Sequence, residues 1–459
     1  MSNNDTICAL ATAPGGALGI IRVSGSQAVE IVNKITSADV NTFLPKFEVF
    51  THVVSKNENF EQNKKSSEVI DEVMVTVFRA PHSYTGEDSV EISCHGSRYI
   101  LNKVLELLVQ NGCRMAGPGE YTQRAYLNGK MDLSQAEAVA DLIASANEAN
   151  HHLAMTQLRG GISSELAQLR EKLLKLTSLL ELELDFSDHE DLEFADRSEL
   201  FDLTKTIDNH ISKLSHSFEA GQAIKQGIPV AIIGKTNVGK STLLNRLLHE
   251  DRAIVSDIHG TTRDTIEDTI DLQGITFRFI DTAGIRQTTD EVEKIGIQRT
   301  RQAIEKARIV LWVIDREPSN EEINDFLQQT ENKKVIIINN KTDLDKNSPF
   351  TIASFPLINI SAKYDNNLDA LETAICKAAD IPELTENDII ITNARHYDAL
   401  TRAHESIQRV LDGMTQQLCG DLLSEDLRLA LDQLAEITGG QITPNEVLGN
   451  IFKHFCVGK

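Results

Sequence analysis

The stretch "VAIIGKTNVGKSTLLNRLL" (Val230–Leu248) decides the fold of the central part of the chain. Its middle, Gly234–Ser241, fits the pattern G-x-x-x-x-G-K-[ST], directly after an apolar strand and before a helical segment. Glycines allow backbone N–H groups to wrap around phosphates, and the N-terminus of the following helix adds partial positive charge. The stretch therefore predicts a phosphate-binding loop in which Lys240 contacts the outer phosphates and Ser241 ligates magnesium.

Two later motifs predict a switch region around the same phosphates. "GTTRD" (Gly260–Asp264) would supply the hydroxyl of Thr262 to the metal. "DTAG" (Asp281–Gly284) closes the second apolar strand expected in this region. There Asp281 can hold magnesium through water, and the Gly284 N–H can contact a γ-phosphate.

Two further motifs predict that the base is guanine. "NKTD" (Asn340–Asp343) ends the fourth expected strand, and the carboxylate of Asp343 can accept the two donors that guanine offers and adenine lacks. "SAK" (Ser361–Lys363) follows the last strand and would support the base with backbone N–H groups. The order and spacing of all five motifs predict a guanine-specific, magnesium-dependent GTPase.

The pattern around these motifs predicts several domains. Short β-branched runs alternate with helical segments between them, which is typical of a mostly parallel sheet buried on both faces. The helical texture before this region returns after it, so we expect an α/β domain inserted into a helical one. The expected domains are an N-terminal α+β domain (1–119), a helical domain in two parts (120–221 and 381–459) and the GTPase domain (222–380).

Local patterns add three expectations outside the GTPase domain. "RYILNKVLELLVQNG" predicts a helix, and the polar segment "SKNENFEQNKKSSEV" (Ser55–Val69) predicts an exposed loop. Leucines at three- and four-residue spacing predict a long helical hairpin, interrupted near Gly160 and Gly161. These leucines are Leu166, Leu169, Leu173, Leu176 and Leu180.

Composition limits the class of protein. The chain has 459 residues, of which 41% are hydrophobic, and a formal net charge of −23. A charge of this sign argues against a simple nucleic-acid-binding module, although a local patch or a partner can still hold a polyanion. The sequence contains no signal peptide, no long apolar run and no C-x-x-C pair, so it predicts a cytoplasmic protein with reduced thiols and no membrane segment.

The catalytic machinery departs from that of many small GTPases. Ile285 follows "DTAG", where those proteins carry a glutamine that orients water. Hydrolysis must then use another residue, a partner or an ion. The side-chain oxygen of Asn237, within the phosphate loop, can face a monovalent cation near the phosphates, or it can instead cap its own turn.

Together, the five motifs, the flanking helical segments and the terminal "CVGK" resemble the MnmE (TrmE) family of tRNA-modification GTPases, and the resemblance covers essentially the whole chain. It implies a homodimer that uses a tetrahydrofolate derivative, in the 5-formyl or methylene form. It also implies a partner, the FAD-containing MnmG (GidA) subunit, in a heterotetramer or larger complex. Together they would add an aminomethyl-type group to the wobble uridine of certain tRNAs, with GTP hydrolysis activated by potassium and by dimerisation of the GTPase domains.

The same resemblance implies roles for residues of the GTPase domain. Glu293 would orient the attacking water, or lie on a solvated helix face; Arg286 would act as a switch arginine, or form a surface ion pair. The K+ ligands would be Asn237, Ser256, Ile258 and Thr261. With Ser241 and Thr262 for Mg2+, the expected nucleotide and ion contacts are Asn237, Val238, Gly239, Lys240, Ser241, Thr242, Ser256, Asp257, Ile258, His259, Gly260, Thr261, Thr262, Asp281, Thr282, Ala283, Gly284, Asn340, Lys341, Asp343, Ser361 and Ala362.

A second site is implied for the folate. Arg22, Glu87 and Lys130 would contact it, with Lys459 near the same pocket. A carboxylate can pair with the donors of a pterin, and cations suit a glutamate tail. Cys456 would be a nucleophile whose thiolate is favoured by nearby positive charge, or a packed or merely exposed thiol.

Two alternatives differ in class. A ribosome-assembly GTPase shares the phosphate loop and "GTTRD" but is expected to carry a basic RNA-binding module, and this sequence has no Lys/Arg cluster. A membrane-associated signalling GTPase would need a complete lipidation signal or an apolar span. Cys456 is followed by Gly458 and Lys459, which do not complete a prenylation motif.

Overall fold

The computed structural model describes residues 5–58, 65–185, 197–248, 268–280, 293–344, 355–381, 388–440, 448, 451–453, 455 and 458. The chain divides into two compact units. The first comprises Met1–Ile143, Gln157–Leu174 and Leu431–Lys459, and the second comprises Ala144–Thr156 and Lys175–Ala430. The boundaries 1–119, 120–221, 222–380 and 381–459 remain a prediction.

A six-stranded sheet forms the core of the first unit, in the order β3-β4-β5-β2-β1-β6. Neighbouring strands are antiparallel, except for the parallel pair β1 and β6. Helices α1 (Ala28–Ile35) and α2 (Arg98–Gln110) contribute to its apolar core, so the helix expected in "RYILNKVLELLVQNG" is confirmed. The strands are β1 (Ile7–Leu10), β2 (Leu18–Ser24), β3 (Glu48–Glu58), β4 (Lys65–Phe78), β5 (Ser89–His95) and β6 (Arg114–Met115).

The predicted exposed loop Ser55–Val69 is wrong for most of its length. Strand β3 continues to Glu58 and β4 begins at Lys65, and the two pair in register from Ser55↔Glu68 to Glu58↔Lys65. Residues 59–64 lie outside the described part. Cross-strand backbone pairing stabilises polar residues in a ribbon of this kind, and a test based on apolar alternation does not detect it.

The helical region differs from a single hairpin. Within 120–185 and 197–226 the structure describes five helices, which are α3 (Glu120–Leu127), α4 (Leu133–Ala144), α5 (Glu148–Leu158), α6 (Gly161–Asp185) and α7 (Arg197–Gln226). The expected interruption at Gly160 and Gly161 is confirmed, because α5 ends at Leu158 and α6 begins at Gly161. All five periodic leucines lie on α6 and are buried.

The second unit contains the mostly parallel sheet. Its strand order is β12-β11-β10-β7-β9-β8, and all neighbours are parallel except β8 and β9. Strand β10 is buried at every position, as expected for a central strand covered on both faces. The strands are β7 (Ile228–Ile233), β8 (Asp268–Leu272), β9 (Ile275–Phe279), β10 (Ile309–Ile314), β11 (Lys334–Asn339) and β12 (Leu357–Asn359).

One strand of this sheet was missed in the sequence. Strand β8, "DTIDL", pairs antiparallel with β9 at the sheet edge. "DTAG" therefore follows the third strand of the domain and "NKTD" the fifth, one strand later than expected. The strand was not predicted because three of its five positions carry charged or hydroxyl side chains, so it does not form an apolar run.

Helices on either side of this α/β region in the chain pack against each other. Phe218 of α7 stacks on Tyr397 with ring centres 4.4 Å apart, and Gln222 Nε2 donates to Thr392 O at 2.8 Å. This contact between flanking segments confirms that the α/β region is an insertion. The helices after α7 are α8 (Lys240–Leu247), α9 (Glu293–Lys306), α10 (Asn320–Gln329), α11 (Leu368–Ala379), α12 (Ala394–Thr415) and α13 (Gly420–Thr438).

Candidate functional site

The phosphate loop lies between the end of β7 and the start of α8. Gly239, immediately before α8, has φ +98°, and a Cβ added there would lie 2.2 Å from Asn340 Nδ2. Only glycine fits this backbone conformation at so close an approach. Asn237 also has a positive φ, of 63°. Ser241 and Thr242 lie in the first turn of α8, where helix N–H groups favour an anion.

Lys240 is held over this loop. Its Nζ donates to the carbonyls of Gly234 and Lys235, at 2.7 Å each. Burial lowers the pKa of Lys240, because desolvation disfavours the ammonium form. A phosphate close to Nζ would favour the charged form, so these residues fit a polyphosphate.

The guanine motifs meet the phosphate loop through Asn340. This buried side chain donates from Nδ2 to Val238 O at 2.8 Å and accepts from the N–H of Ala362 at 3.0 Å. One asparagine therefore ties the phosphate loop, "NKTD" and "SAK" together at the carboxyl edge of the parallel strands, where α/β sheets bind ligands.

The carboxylate that would read the base is oriented but accessible. Ser361 Oγ donates to Asp343 Oδ1 at 2.6 Å, and Asp343 is exposed. Lys341 Nζ pairs with Asp315 Oδ2 at 2.9 Å. A fixed acceptor that keeps unused lone pairs fits the N1–H and 2-amino donors of guanine.

Many of the expected nucleotide and ion contacts lie outside the described residues. These are Ser256, Asp257, Ile258, His259, Gly260, Thr261, Thr262, Asp281, Thr282, Ala283, Gly284 and Arg286. Glu293 is the first residue of α9. Within the described ranges no three His, Cys, Asp or Glu side chains converge as metal ligands. The expected Mg2+ site uses hydroxyls, of which only Ser241 is described.

A second cluster of charges lies on the N-terminal sheet, around Arg22 of β2. Its guanidinium pairs with Glu91 of β5, with Nη2 2.7 Å from Oε1, and lies 5.6 Å from the ring centre of Tyr84 and 5.7 Å from that of Tyr121. Burial raises the pKa of Tyr121, whose hydroxyl donates to Arg22 O at 2.7 Å. Arg22 is thus fixed by a carboxylate and two aromatic rings.

Glu87 belongs to the same cluster. Ser24, two residues beyond Arg22 and therefore on the same face of β2, donates to Glu87 Oε2 at 2.9 Å. The stem of Lys130 packs beside Gly86: a Cβ added at Gly86 would lie 3.3 Å from Lys130 Cγ and Cδ. Three of the four residues expected at the folate site therefore lie on one surface of the first unit.

Two described residues near the C-terminus, Phe455 and Gly458, contact the first unit close to this surface. Gly458 O accepts from Arg22 Nη1 at 3.3 Å, and Phe455 lies against Gly119, where an added Cβ would approach Phe455 Cβ to 2.8 Å. Cys456 and Lys459 lie outside the described residues.

Sequence reasoning missed five residues of this cluster. Four are Ser24, Tyr84, Glu91 and Tyr121, and the fifth is Arg124, whose Nη1 lies 3.2 Å from Glu87 Oε1. A signal was available for two of them, because Tyr121 and Arg124 are three apart on one helix and must share a face. Nothing in the sequence pairs Ser24 or Glu91 with their partners.

No helix in the part of the chain that the structure describes is both long and apolar enough to cross a membrane.

A phosphate loop braced by the asparagine of a guanine motif defines the class: this is a P-loop GTPase. Two family models match the chain, "GTP-binding protein TrmE N-terminus" over residues 6–130 and "MnmE helical domain" over residues 133–456. Proteins named tRNA modification GTPase MnmE are similar along their whole length. The proteins of Phocaeicola vulgatus and Bacteroides thetaiotaomicron are each 55% identical, and that of Flavobacterium johnsoniae is 48% identical; each alignment covers 100% of both chains. The chain belongs to the MnmE family of tRNA modification GTPases, which confirms the resemblance.

Proposed function

We propose that this chain is the GTP-hydrolysing subunit of a complex that modifies the wobble uridine of certain tRNAs with a one-carbon unit from 5-formyl- or methylene-tetrahydrofolate. Its partner would be the FAD-containing MnmG (GidA) subunit, in a heterotetramer or larger assembly, and its compartment the cytoplasm. The observation that carries the folate part of the proposal is the convergence of Arg22, Glu87 and Lys130 on one surface with Gly458 of the C-terminal tail.

The charges of this surface suit a reduced folate. Glu87 offers an acceptor to the N–H and amino donors of a pterin ring, while Arg22 and Lys130 supply cations for its glutamate tail. When bound, the folate would supply the one-carbon unit. Cys456 follows Phe455 in the chain, and in this proposal its thiolate acts as the nucleophile.

The GTPase domain would supply the conformational cycle. Lys240 would bind the outer phosphates, the hydroxyls of Ser241 and Thr262 would hold Mg2+, and Glu293 would orient the attacking water. Arg286 stabilises the switch. Potassium, held by Asn237, Ser256, Ile258 and Thr261, would neutralise charge near the phosphates when the GTPase domains of a homodimer meet.

Deleting the gene should remove the modified wobble uridine from cellular tRNA, because the proposal assigns the folate site and the nucleophile Cys456 to this subunit. Mass spectrometry of tRNA nucleosides measures this directly. The intact chain should restore the modified nucleoside, whereas Cys456→Ser should not. Cys419→Ser is the matched control, since Cys419 is exposed and lies in the turn between α12 and α13.

The outcomes separate the proposals. Restoration by both cysteine variants would keep the tRNA function and remove the thiol from the chemistry. An unchanged nucleoside profile in the deletion strain would contradict the wobble-uridine function and favour a ribosome-assembly switch.

Potassium should stimulate GTP hydrolysis, and Asn237→Ala should abolish most of that stimulation. Loss of a ligand to a charge-neutralising cation is expected to lower the rate at least about tenfold in potassium and little in sodium. Asn332→Ala is the matched control, because Asn332 has φ 64° against 63° for Asn237 and pays the same backbone penalty away from the phosphate loop. A hydrolysis rate equal in the two salts would refute this role.

A further inference from the structure

Arg124 of helix α3 is a buried cation that contacts three carboxylates. Its Nη1 lies 3.2 Å from both oxygens of Glu87. Its Nη2 lies 2.6 Å from Asp5 Oδ1 and 3.1 Å from Glu120 Oε1. The side chain is only 9% exposed, so these contacts lie in a region where charge interactions are strong.

The neighbouring arginine, Arg114, makes a different set of contacts. Arg114 contacts two of the same carboxylates, with Nη2 2.6 Å from Glu120 Oε1 and Nε 2.8 Å from Asp5 Oδ2. Its side chain is 46% exposed. Among the bonds described, the side chain of Glu87 receives donors from Arg124 and Ser24 and none from Arg114.

The two arginines share three carboxylates, Asp5, Glu87 and Glu120. Although burial acts to raise them, the pKa values of Asp5 and Glu120 lie below their usual values because of bonds from the arginines, so both stay ionised. Burial acts to lower the pKa of Arg124, and the carboxylates, Glu87 first, raise it above its usual value.

Glu87 retains room for a further donor. A carboxylate has about four acceptor positions, of which Arg124 Nη1 uses one on each oxygen and Ser24 Oγ uses a second one on Oε2. The position that remains, on Oε1, can accept an N–H donor from a ligand. Glycine at position 86 leaves the backbone before Glu87 close to Lys130.

We infer that Arg124 is a positioning residue for ligand binding: it fixes the carboxylate of Glu87 so that its remaining acceptor position faces an N–H or amino donor of a pterin ring. This inference rests on the proposed function of the surface. Lysine cannot replace Arg124, because a single ammonium cannot reach Glu87, Asp5 and Glu120 at once as the guanidinium fork does.

The test is the affinity of the full-length protein for 5-formyl-tetrahydrofolate, measured by isothermal titration calorimetry. Arg124→Lys should weaken binding about tenfold or more, as expected when a charged acceptor loses its alignment. Arg114→Lys, which disturbs Asp5 and Glu120 in the same network, should change affinity less than about threefold. Thermal unfolding of both variants reports whether they fold.

A double-mutant cycle separates positioning from general damage. In a Glu87→Gln background, Arg124→Lys should weaken folate binding less than about twofold, because the carboxylate that Arg124 positions is already gone. The preference for 5-formyl-tetrahydrofolate over its 2-desamino-2-methyl analogue should fall with Arg124→Lys and stay unchanged with Arg114→Lys. If Arg124→Lys fails to fold, Ser24→Ala removes the other donor to Glu87. Its effect on folate affinity is then measured with and without the Glu87→Gln change.

Three results would overturn the inference. One is wild-type affinity in the Arg124 and Ser24 variants, and another is an equal loss with and without the Glu87 carboxylate. Both leave the folate site in place. The third is failure of the unaltered protein to bind 5-formyl-tetrahydrofolate, which overturns the proposed folate function itself.

Discussion

Asp343→Asn should lower the affinity for GTP about a hundredfold and raise that for xanthosine triphosphate. The carboxylate, oriented by Ser361, is expected to accept two donors from guanine. Hydrogen bonds to a charged group are worth roughly 1.5–3 kcal/mol each, so losing the acceptor should cost about 3 kcal/mol or more. Xanthine carries a carbonyl where guanine has its amino group, and the asparagine amide can donate to it.

Equilibrium binding of fluorescent GTP and competition with xanthosine triphosphate measure both changes. Asp325→Asn is the matched control, because Asp325 is an exposed acid on α10 that bonds only Gln329 among the contacts described. GTP binding by Asp343→Asn at wild-type affinity would mean that this carboxylate does not read the base.

The geometry of the phosphate loop was predictable because its motif encodes local structure. The phosphate loop is continuous in sequence, and its glycine is required by a backbone conformation and a close approach that few other residues tolerate. The brace from Asn340 to Val238 joins residues 102 positions apart, and the sequence indicated the motifs but not that contact. Distant motifs met because parallel strands end at one sheet edge.

The second site was predictable only in part. Resemblance named Arg22, Glu87 and Lys130, but the partners that hold them lie far along the chain: Ser24 and Arg124 are 63 and 37 residues from Glu87. Such pairs depend on strand register and helix packing, which no local pattern specifies. The misassigned segment Ser55–Val69 has the same cause, since its strands are stabilised by pairing with each other.

Gly458→Ala should abolish tRNA modification while leaving GTP hydrolysis intact. Gly458 has φ +96°, and a Cβ there would lie 2.3 Å from Leu10 O and 3.1 Å from Ala11 Cα. The left-handed conformation alone costs roughly 1–2 kcal/mol for alanine, and backbone atoms cannot move aside as a flexible side chain can. Gly458 would therefore leave the surface around Arg22.

Two measurements test this release of the tail. Nucleoside mass spectrometry should show the same loss as Cys456→Ser, and carboxypeptidase digestion followed by intact-mass analysis should show faster trimming of the C-terminus. Gly440→Ala is the control in the same terminal region, because the nearest atom to its Cβ would be 3.6 Å away, an ordinary contact. Full modification by Gly458→Ala would mean that the docking of Gly458 on strand β1 is not needed for tRNA modification.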